Sequence, residues 1–321
     1  MSVGAPKIPV TVAEVVEVNP LIRRLRFVRR DGGPLPVFSG GAHIVVEMDD
    51  HGLRRMNPYS LTSAPADPSG YEISVRRDEA GRGGSLFLHR HVTAGMPMVV
   101  STPINLFPLD ARARKHLMLA GGIGITPFLS QIAGLQAQGG LFELHYAARS
   151  RALAAYAGDL TARHGDRVRL YFDDQGQAID LPALLTGQPL GTHLYVCGPK
   201  AMIAWVRRTA EAMGWHKSAV HSEEFLAPPV GAPFTVQLAV SGRTLTVGPA
   251  QSLLEAIEAA GVAAPYLCRG GACGECETDV LRCDGQILHN DHWLTDAQKA
   301  GQQKIMPCVS RFGGQTLVLD R

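Results

Sequence analysis

The chain has 321 residues, 45% of them hydrophobic, with 31 basic and 29 acidic side chains for a net charge of +2. That length corresponds to two or three domains at roughly 100–150 residues each, and the balanced charge, with no basic run or basic and aromatic stripe, excludes a nucleic-acid partner. Six cysteines are too few for a disulfide scaffold, residues 1–20 lack a signal-peptide pattern, and no apolar run is long enough to cross a bilayer, so a cytoplasmic protein without membrane contact is expected.

Up to Pro108 the chain reads as short strands separated by Gly and Pro turns. Asn57-Pro58-Tyr59-Ser60-Leu61 ends one strand, preceded by Arg54 and Arg55, and Ile73-Ser74-Val75-Arg76-Arg77 forms another. In Arg82-Gly83-Gly84-Ser85 the step Gly83-Gly84-Ser85 predicts a helix start, where free N–H groups accept a phosphate that Arg82 can grip. An ordinary turn is the plainer alternative for so short a motif.

After Pro108 strands alternate with helices, which predicts a parallel sheet with a ligand across its carboxyl edge. His116–Ala120 is a buried-strand pattern running into Gly121-Gly122-Ile123-Gly124-Ile125-Thr126-Pro127 and a helix over Phe128–Gln136. Glycine allows close approach to a pyrophosphate, and proline suits a first helical turn, although this is not the G-x-G-x-x-G fingerprint. Further strands are predicted over Leu141–Ala147, Val168–Phe172 and from His193 to Cys197, the last turning at Gly198-Pro199 into a helix over Lys200–Met213. Arg149 is read either as a surface residue or as a partner for a 2′-phosphate, and Asp173 as facing a ribose.

The proline-rich stretch Leu226–Pro233 predicts a semi-rigid linker. Beyond it Phe234–Val240 and Thr244–Val247 alternate like strands about Ser241-Gly242, and Ser252 with Glu255 forms a capping box for a helix that stops at Gly261. Cys268, Cys273 and Cys276 then follow as C-x4-C-x2-C, with Cys308 downstream, which is the plant-type [2Fe-2S] spacing. A zinc site usually shows two C-x2-C knuckles, and a disulfide pair needs no glycine-packed loop. Single-electron transfer is the chemistry this pattern predicts.

In this order, Tyr59-Ser60-Leu61, Arg82 to Ser85, Gly121 to Pro127, Cys197 to Pro199, Glu224-Phe225 and the four cysteines resemble the phthalate dioxygenase reductase family across essentially the whole chain. The run from Arg82 to Pro127 is also similar to the reductase of carnitine monooxygenase. The resemblance implies a multidomain protein: an antiparallel β-barrel for FMN over residues 1–108, an α/β parallel-sheet domain for NADH over 109–227, a linker over 228–233, and a β-grasp [2Fe-2S] ferredoxin domain over 234–321.

Carried over residue by residue, the resemblance places Tyr59, Ser60, Leu61, Ser74 and Val75 at the flavin, with Ser60 near N5. Arg82, Gly83, Gly84 and Ser85 hold its phosphate, and Phe225 covers its ring. Gly121, Gly122, Gly124, Thr126, Pro127, Arg149 and Asp173 take the dinucleotide, Cys197, Gly198 and Pro199 position the nicotinamide, and Glu224 lines that contact. The family has Arg two residues before the Tyr, where this chain has Asn57, so Arg55 reaches the phosphate only if Asn57-Pro58 bulges. The bulge is expected, since Pro58 would stiffen it. If Arg55 is displaced instead, Arg82 acts alone.

The implied function is a monomeric NADH-dependent reductase that passes electrons through FMN and the cluster to a terminal Rieske-type oxygenase. Two alternatives stand beside it: a stand-alone NADH:acceptor reductase, and a non-enzymatic redox-sensing module.

Overall fold

The computed structural model describes residues 4–50 and 52–321. The first part is a six-stranded antiparallel sheet built from β1 (Lys7–Asn19), β2 (Ile22–Arg29), β3 (His43–Asp50), β4 (Leu53–Ser60), β5 (Tyr71–Arg76) and, after the helix α1 (Gly84–Arg90), β6 (Pro97–Ser101). The order β4-β3-β6-β1-β2-β5 puts β4 and β5 at the two edges, and a bridge from Leu61 to Ile73 curls these edges toward each other. Val10, Val12, Leu25, Phe27, Ile44 and Ile73 fill the inside because alternate residues of each strand face it.

The second part carries β7 (Lys115–Gly121), α2 (Thr126–Ala137), β8 (Phe142–Ala148), α3 (Ala157–His164), β9 (Val168–Phe172), α4 (Leu181–Thr186), β10 (Thr192–Cys197), α5 (Lys200–Ala212) and β11 (Val220–Glu223). All five strands are parallel in the order β11-β10-β7-β8-β9. The chain runs outward from β7 to β9 and then returns to the other side of β7, so a crevice opens between the carboxyl ends of β7 and β10. The helix expected over Phe128–Gln136 starts two residues earlier, because Pro127 supplies a preset φ within its first turn.

The third part holds β12 (Phe234–Leu238), β13 (Arg243–Val247), α6 (Leu253–Ala259), β14 (Thr278–Cys283), β15 (Gln286–Leu288), α7 (Asp296–Gly301), β16 (Lys304–Ile305), β17 (Arg311–Gly313) and β18 (Thr316–Leu319). Its main sheet runs β13-β12-β18-β14-β16, with β12 and β18 parallel across the middle and α6 packed alongside, the β-grasp arrangement. The capping box forms: Ser252 Oγ accepts the Glu255 N–H at 3.0 Å and Glu255 Oε2 accepts the Ser252 N–H at 2.8 Å.

These parts are not packed as independent beads. Ala5, Val45, Met56 and Ile104 of the first part are buried in one cluster with Val236, Leu254, Ile257, Cys276 and Cys308 of the third. The buried Arg311 guanidinium donates to the carbonyls of Gly248, Gln251, Gly231 and Ala232, tying the linker down. Among the described residues no helix is long and apolar enough to cross a membrane.

Candidate active site

A cavity of about 1090 Å³ lies where the three parts meet. Its walls bring together Tyr59, Ser60 and Ser74, the Arg82, Gly84 and Ser85 corner, Gly121, Gly122, Gly124 and Thr126, Arg149, Asp173, Gly198 and Pro199, and Glu224 with Phe225, and they include Cys268 of the cysteine loop and the downstream Cys308. Arg55, Leu61, Val75, Gly83, Pro127 and the Cys197, Cys273 and Cys276 side chains stand outside this lining. Leu61 and Val75 are instead core residues, 0% and 1% exposed, since the β pleat turns them inward.

The bulge expected at Asn57-Pro58 does not exist. β3 and β4 pair one to one from Asp50↔Leu53 to His43↔Ser60, with Val46↔Asn57 and Val45↔Pro58 in unbroken register. β4 is an edge strand, where a proline's missing N–H costs no ladder bond, so Pro58 needs no bulge. Arg55 therefore lies behind the Arg82–Ser85 corner: it donates to Asp50 Oδ2 at 3.2 Å and to the Ala250 carbonyl at 3.1 Å, and it backs Gly83. Asn57 takes the place at the corner. Its Nδ2 is so close to Gly84 that an added Cβ there would overlap it.

Arg82 is held from two sides, donating to Glu255 Oε2 at 2.6 Å and to Asn57 Oδ1 at 3.3 Å. Both members of the ion pair are buried, at 9% and 4% side-chain exposure, and Glu255 belongs to the third part. Next to this cation, α1 is preceded by its N-cap Gly83 at φ 103, which offers no side-chain cap. Its first N–H groups thus stay free for an anion, which fits a flavin phosphate. The sequence reading missed both Glu255 and His43. His43 lies opposite Ser60 on β3, lines the cavity, is held neutral by burial that pushes its pKa down to about 4, and leaves Nε2 without a partner.

At the crevice of the parallel sheet two glycine turns touch. A Cβ on Gly121 would sit 2.7 Å from Met202 Sδ and Pro199 Cδ, and one on Gly124 would overlap the Cys197 carbonyl. Cys197 is 1% exposed, and burial pushes its thiol well above the ordinary range, so it packs as a neutral group and is not a nucleophile. Glu224 pairs with His292 at 3.1 Å. The preceding residue, Glu223, is the one that reaches the Cys197 position, since β11 and β10 pair Glu223↔Cys197. Its Oε2 is sealed from solvent without a partner, and burial raises the carboxyl pKa to about 8.

That shift has a definite sign. Folding holds a proton on Glu223 that the unfolded chain releases above its ordinary value of 4.5, so this stabilisation is complete below 4.5 and is lost as pH rises through about 8. Glu223→Gln keeps the shape without the titration. Its melting temperature is expected to pull ahead of wild type progressively from pH 5 to pH 8, and parallel melting curves over that range would rule out a buried, protonated Glu223.

The four cysteines meet two by two. Cys276 Sγ lies 3.2 Å from Cys308 Sγ, and Cys268 shares a sulfur hydrogen bond with Cys273 that, with the N–H groups of Ala272 and Gly270, holds its thiol below the ordinary range. Gly271 at φ 73 and Gly274 at φ 84 turn the loop so that such N–H groups face sulfur. No cysteine is in a disulfide. A tetrahedral zinc needs four donors around one point, whereas two pairs suit two irons, so the residues fit a [2Fe-2S] cluster. The loop also abuts β4, with a Cβ on Gly270 falling 3.8 Å from Pro58 Cγ.

Residues 236–312 match the 2Fe-2S iron-sulfur cluster binding domain family, and residues 99–220 match the N-terminal domain of dimethylamine monooxygenase subunit DmmA-like proteins. The chain is 44% identical to a carnitine monooxygenase reductase subunit of Acinetobacter baumannii, covering 97% of each. It is also 44% identical to a heme-dependent oxidative N-demethylase beta subunit of Ectopseudomonas mendocina, covering 97% of this chain and 98% of that one. Among solved structures, phthalate dioxygenase reductase, described as a modular structure for electron transfer from pyridine nucleotides to [2Fe-2S], matches with a TM-score of 0.88 and 35% identity over 98% of both chains.

Proposed function

We propose, because this chain belongs to the phthalate dioxygenase reductase-like family, that it is the NADH-dependent reductase component of a two-component oxygenase. The observation that carries the reading is the single cavity in which the phosphate corner, the nicotinamide-side glycine turns and the cluster loop share walls. FMN and a [2Fe-2S] cluster together supply conversion of a two-electron hydride donor into one-electron output. Arg82, Gly84 and Ser85 would hold the FMN phosphate, Tyr59 and Ser60 its ring, and Cys268, Cys273, Cys276 and Cys308 the irons.

The chain's own residues do the placing. Gly121, Gly124 and Gly198 let the two turns close on each other and so shape the wall a dinucleotide would meet, and the neutral Cys197 thiol packs beneath them. Glu223 carries a proton at neutral pH and meets the nicotinamide side as an uncharged group. Phe225, 49% exposed on the coil after β11, lines the cavity where it would cover the ring face. Pro58 meets the cluster loop at Gly270, where an added Cβ would fall 3.8 Å from its Cγ, and this proximity favours short-range electron transfer. NADH is the reading the relatives favour, with Asp173 at the end of β9 lining the cavity where a carboxylate can accept from a ribose hydroxyl.

The domains are proposed to divide at 1–108, 109–227 and 234–321, the protein to act as a cytoplasmic monomer, in keeping with its free cysteines, and its partner to be a Rieske-type oxygenase. The equal identity to a heme-dependent N-demethylase subunit supports a second reading, a heme oxygenase partner. Purified protein should carry one FMN and, by the cluster stoichiometry, about two irons per chain. NADH should bleach both, with transfer onward to a Rieske oxygenase. Recovery of FAD, or absence of NADH bleaching, would overturn the reading, and transfer to a heme partner alone would select the second.

A further inference from the structure

We propose that Asp110, His193 and His221 form a binding site for one divalent ion of the zinc–copper group at the edge of the parallel sheet. β10 and β11 run side by side with Tyr195↔His221 in register, which sets His193 and His221 diagonally across the strand pair. Their rings stack at 5.3 Å and 15°, and His193 Nδ1 is 3.0 Å from His221 Nε2. Asp110 Oδ2 is 3.8 Å from the same His193 Nδ1. Among the described residues these are the only three such ligand atoms that all lie within 4.8 Å of one another.

Two imidazole nitrogens about 3 Å apart are where two donors fall when each is about 2.0–2.1 Å from one ion, and an ion takes the place of their hydrogen bond once the ring that donates it moves its proton to its other nitrogen, leaving both imidazoles neutral. A pair of imidazoles with one carboxylate is a borderline donor set that suits Zn²⁺ or Cu²⁺ and not Ca²⁺ or Mg²⁺. Beside the site a cavity of about 230 Å³, bounded by Leu106 to Asp110, His221 and Ser222, has room for the ion's solvent ligands.

The surroundings orient these donors. The Asp110 N–H donates to Tyr195 Oη at 2.8 Å, and the Tyr195 ring stacks on His221 at 4.4 Å, so carboxylate and imidazole are set by one tyrosine. Asp110 Oδ1 accepts the Arg112 N–H and Nε at 2.9 and 3.0 Å, while Oδ2 accepts only the Arg112 Nη2 at 2.6 Å. The Arg112 side chain is 81% exposed, so solvent can take up its guanidinium and release Oδ2 to an ion while Oδ1 stays fixed. On β7 a third imidazole, His116, pairs in register with His193, is 5% exposed and has a buried Nδ1 without a partner.

The ion would tie β11, an edge strand whose strand partner among the described residues is β10, to the 106–110 segment at His221, two residues before Glu223 and four before Phe225. The inference does not depend on which oxygenase the protein serves. Holoprotein with flavin and cluster in place, freed of loose metal, is titrated with Zn²⁺ alone by calorimetry while cluster absorbance is followed. One Zn²⁺ per chain at constant absorbance is expected, with His193→Gln and His221→Gln each weakening binding by roughly tenfold or more. With Cu²⁺ on the oxidised protein, electron paramagnetic resonance should show coupling to two nitrogens in wild type and one in either variant. No saturable binding, binding undiminished in both histidine variants, or binding that tracks lost cluster absorbance would each overturn the site. Should a histidine variant fail to fold, Asp110→Asn and the wild-type nitrogen count decide, and a signal with fewer than two nitrogens ends the proposal.

Discussion

Arg82→Ala is expected to release FMN, whereas Arg55→Ala should keep it. Arg82 lines the cavity beside the start of α1 and Arg55 does not, and losing one charge-assisted contact to a phosphate costs about 1.5–3 kcal/mol of affinity. The same substitution leaves Glu255 buried without its partner, so folding stability should also fall, by about 3–5 kcal/mol for a broken buried pair. Arg55 instead bridges Asp50 and the Ala250 carbonyl, and its removal should loosen the contact between the first and third parts. Glu255→Gln separates the two effects, because it breaks the pair but keeps the cation. Equilibrium dialysis of FMN should therefore show loss for Arg82→Ala only. If Glu255→Gln loses FMN as severely, the ion pair and not the Arg82 charge holds the corner; if Arg55→Ala matches Arg82→Ala, the phosphate lies elsewhere.

Cys273→Ser should stop electron output while sparing flavin reduction. Serine replaces a soft thiolate with a hard oxygen donor, which an iron–sulfur cluster holds poorly. Cys273 is the suitable position because, unlike Cys276 and Cys308, it is absent from the core shared with Val45 and Met56. NADH should still reduce the bound flavin near the wild-type rate in stopped flow, and reduction of cytochrome c or an oxygenase should drop to background. A folded Cys273→Ser protein whose flavin no longer accepts electrons from NADH would refute the modular pathway. Truncation before β12 is not an equivalent test. It would strip the apolar cover from Val45, Met56 and Ile104 and leave Arg82 without Glu255, so the shortened chain is expected to be unstable and not to fold alone.

Much of this protein was determined by local sequence. The C-x4-C-x2-C spacing, the Ser252 and Glu255 capping box, and the glycine turns after β7 and β10 are each settled within a few residues, because the chemistry depends on covalent spacing and on backbone freedom. The parallel sheet follows from the same local periodicity. Four features of the site were decided only by the tertiary structure. Whether Asn57-Pro58 bulges depended on β4 being an edge strand, where proline costs nothing. Which of Glu223 and Glu224 faces Cys197 was fixed by the register of β11 on β10, since a shift of one residue reverses the face of a strand. His43 meets Ser60 through cross-strand pairing, and Arg82 meets Glu255 across 173 residues of chain. Contacts of that separation arise when apolar surfaces from distant segments bury against each other, and no short stretch of sequence carries their address.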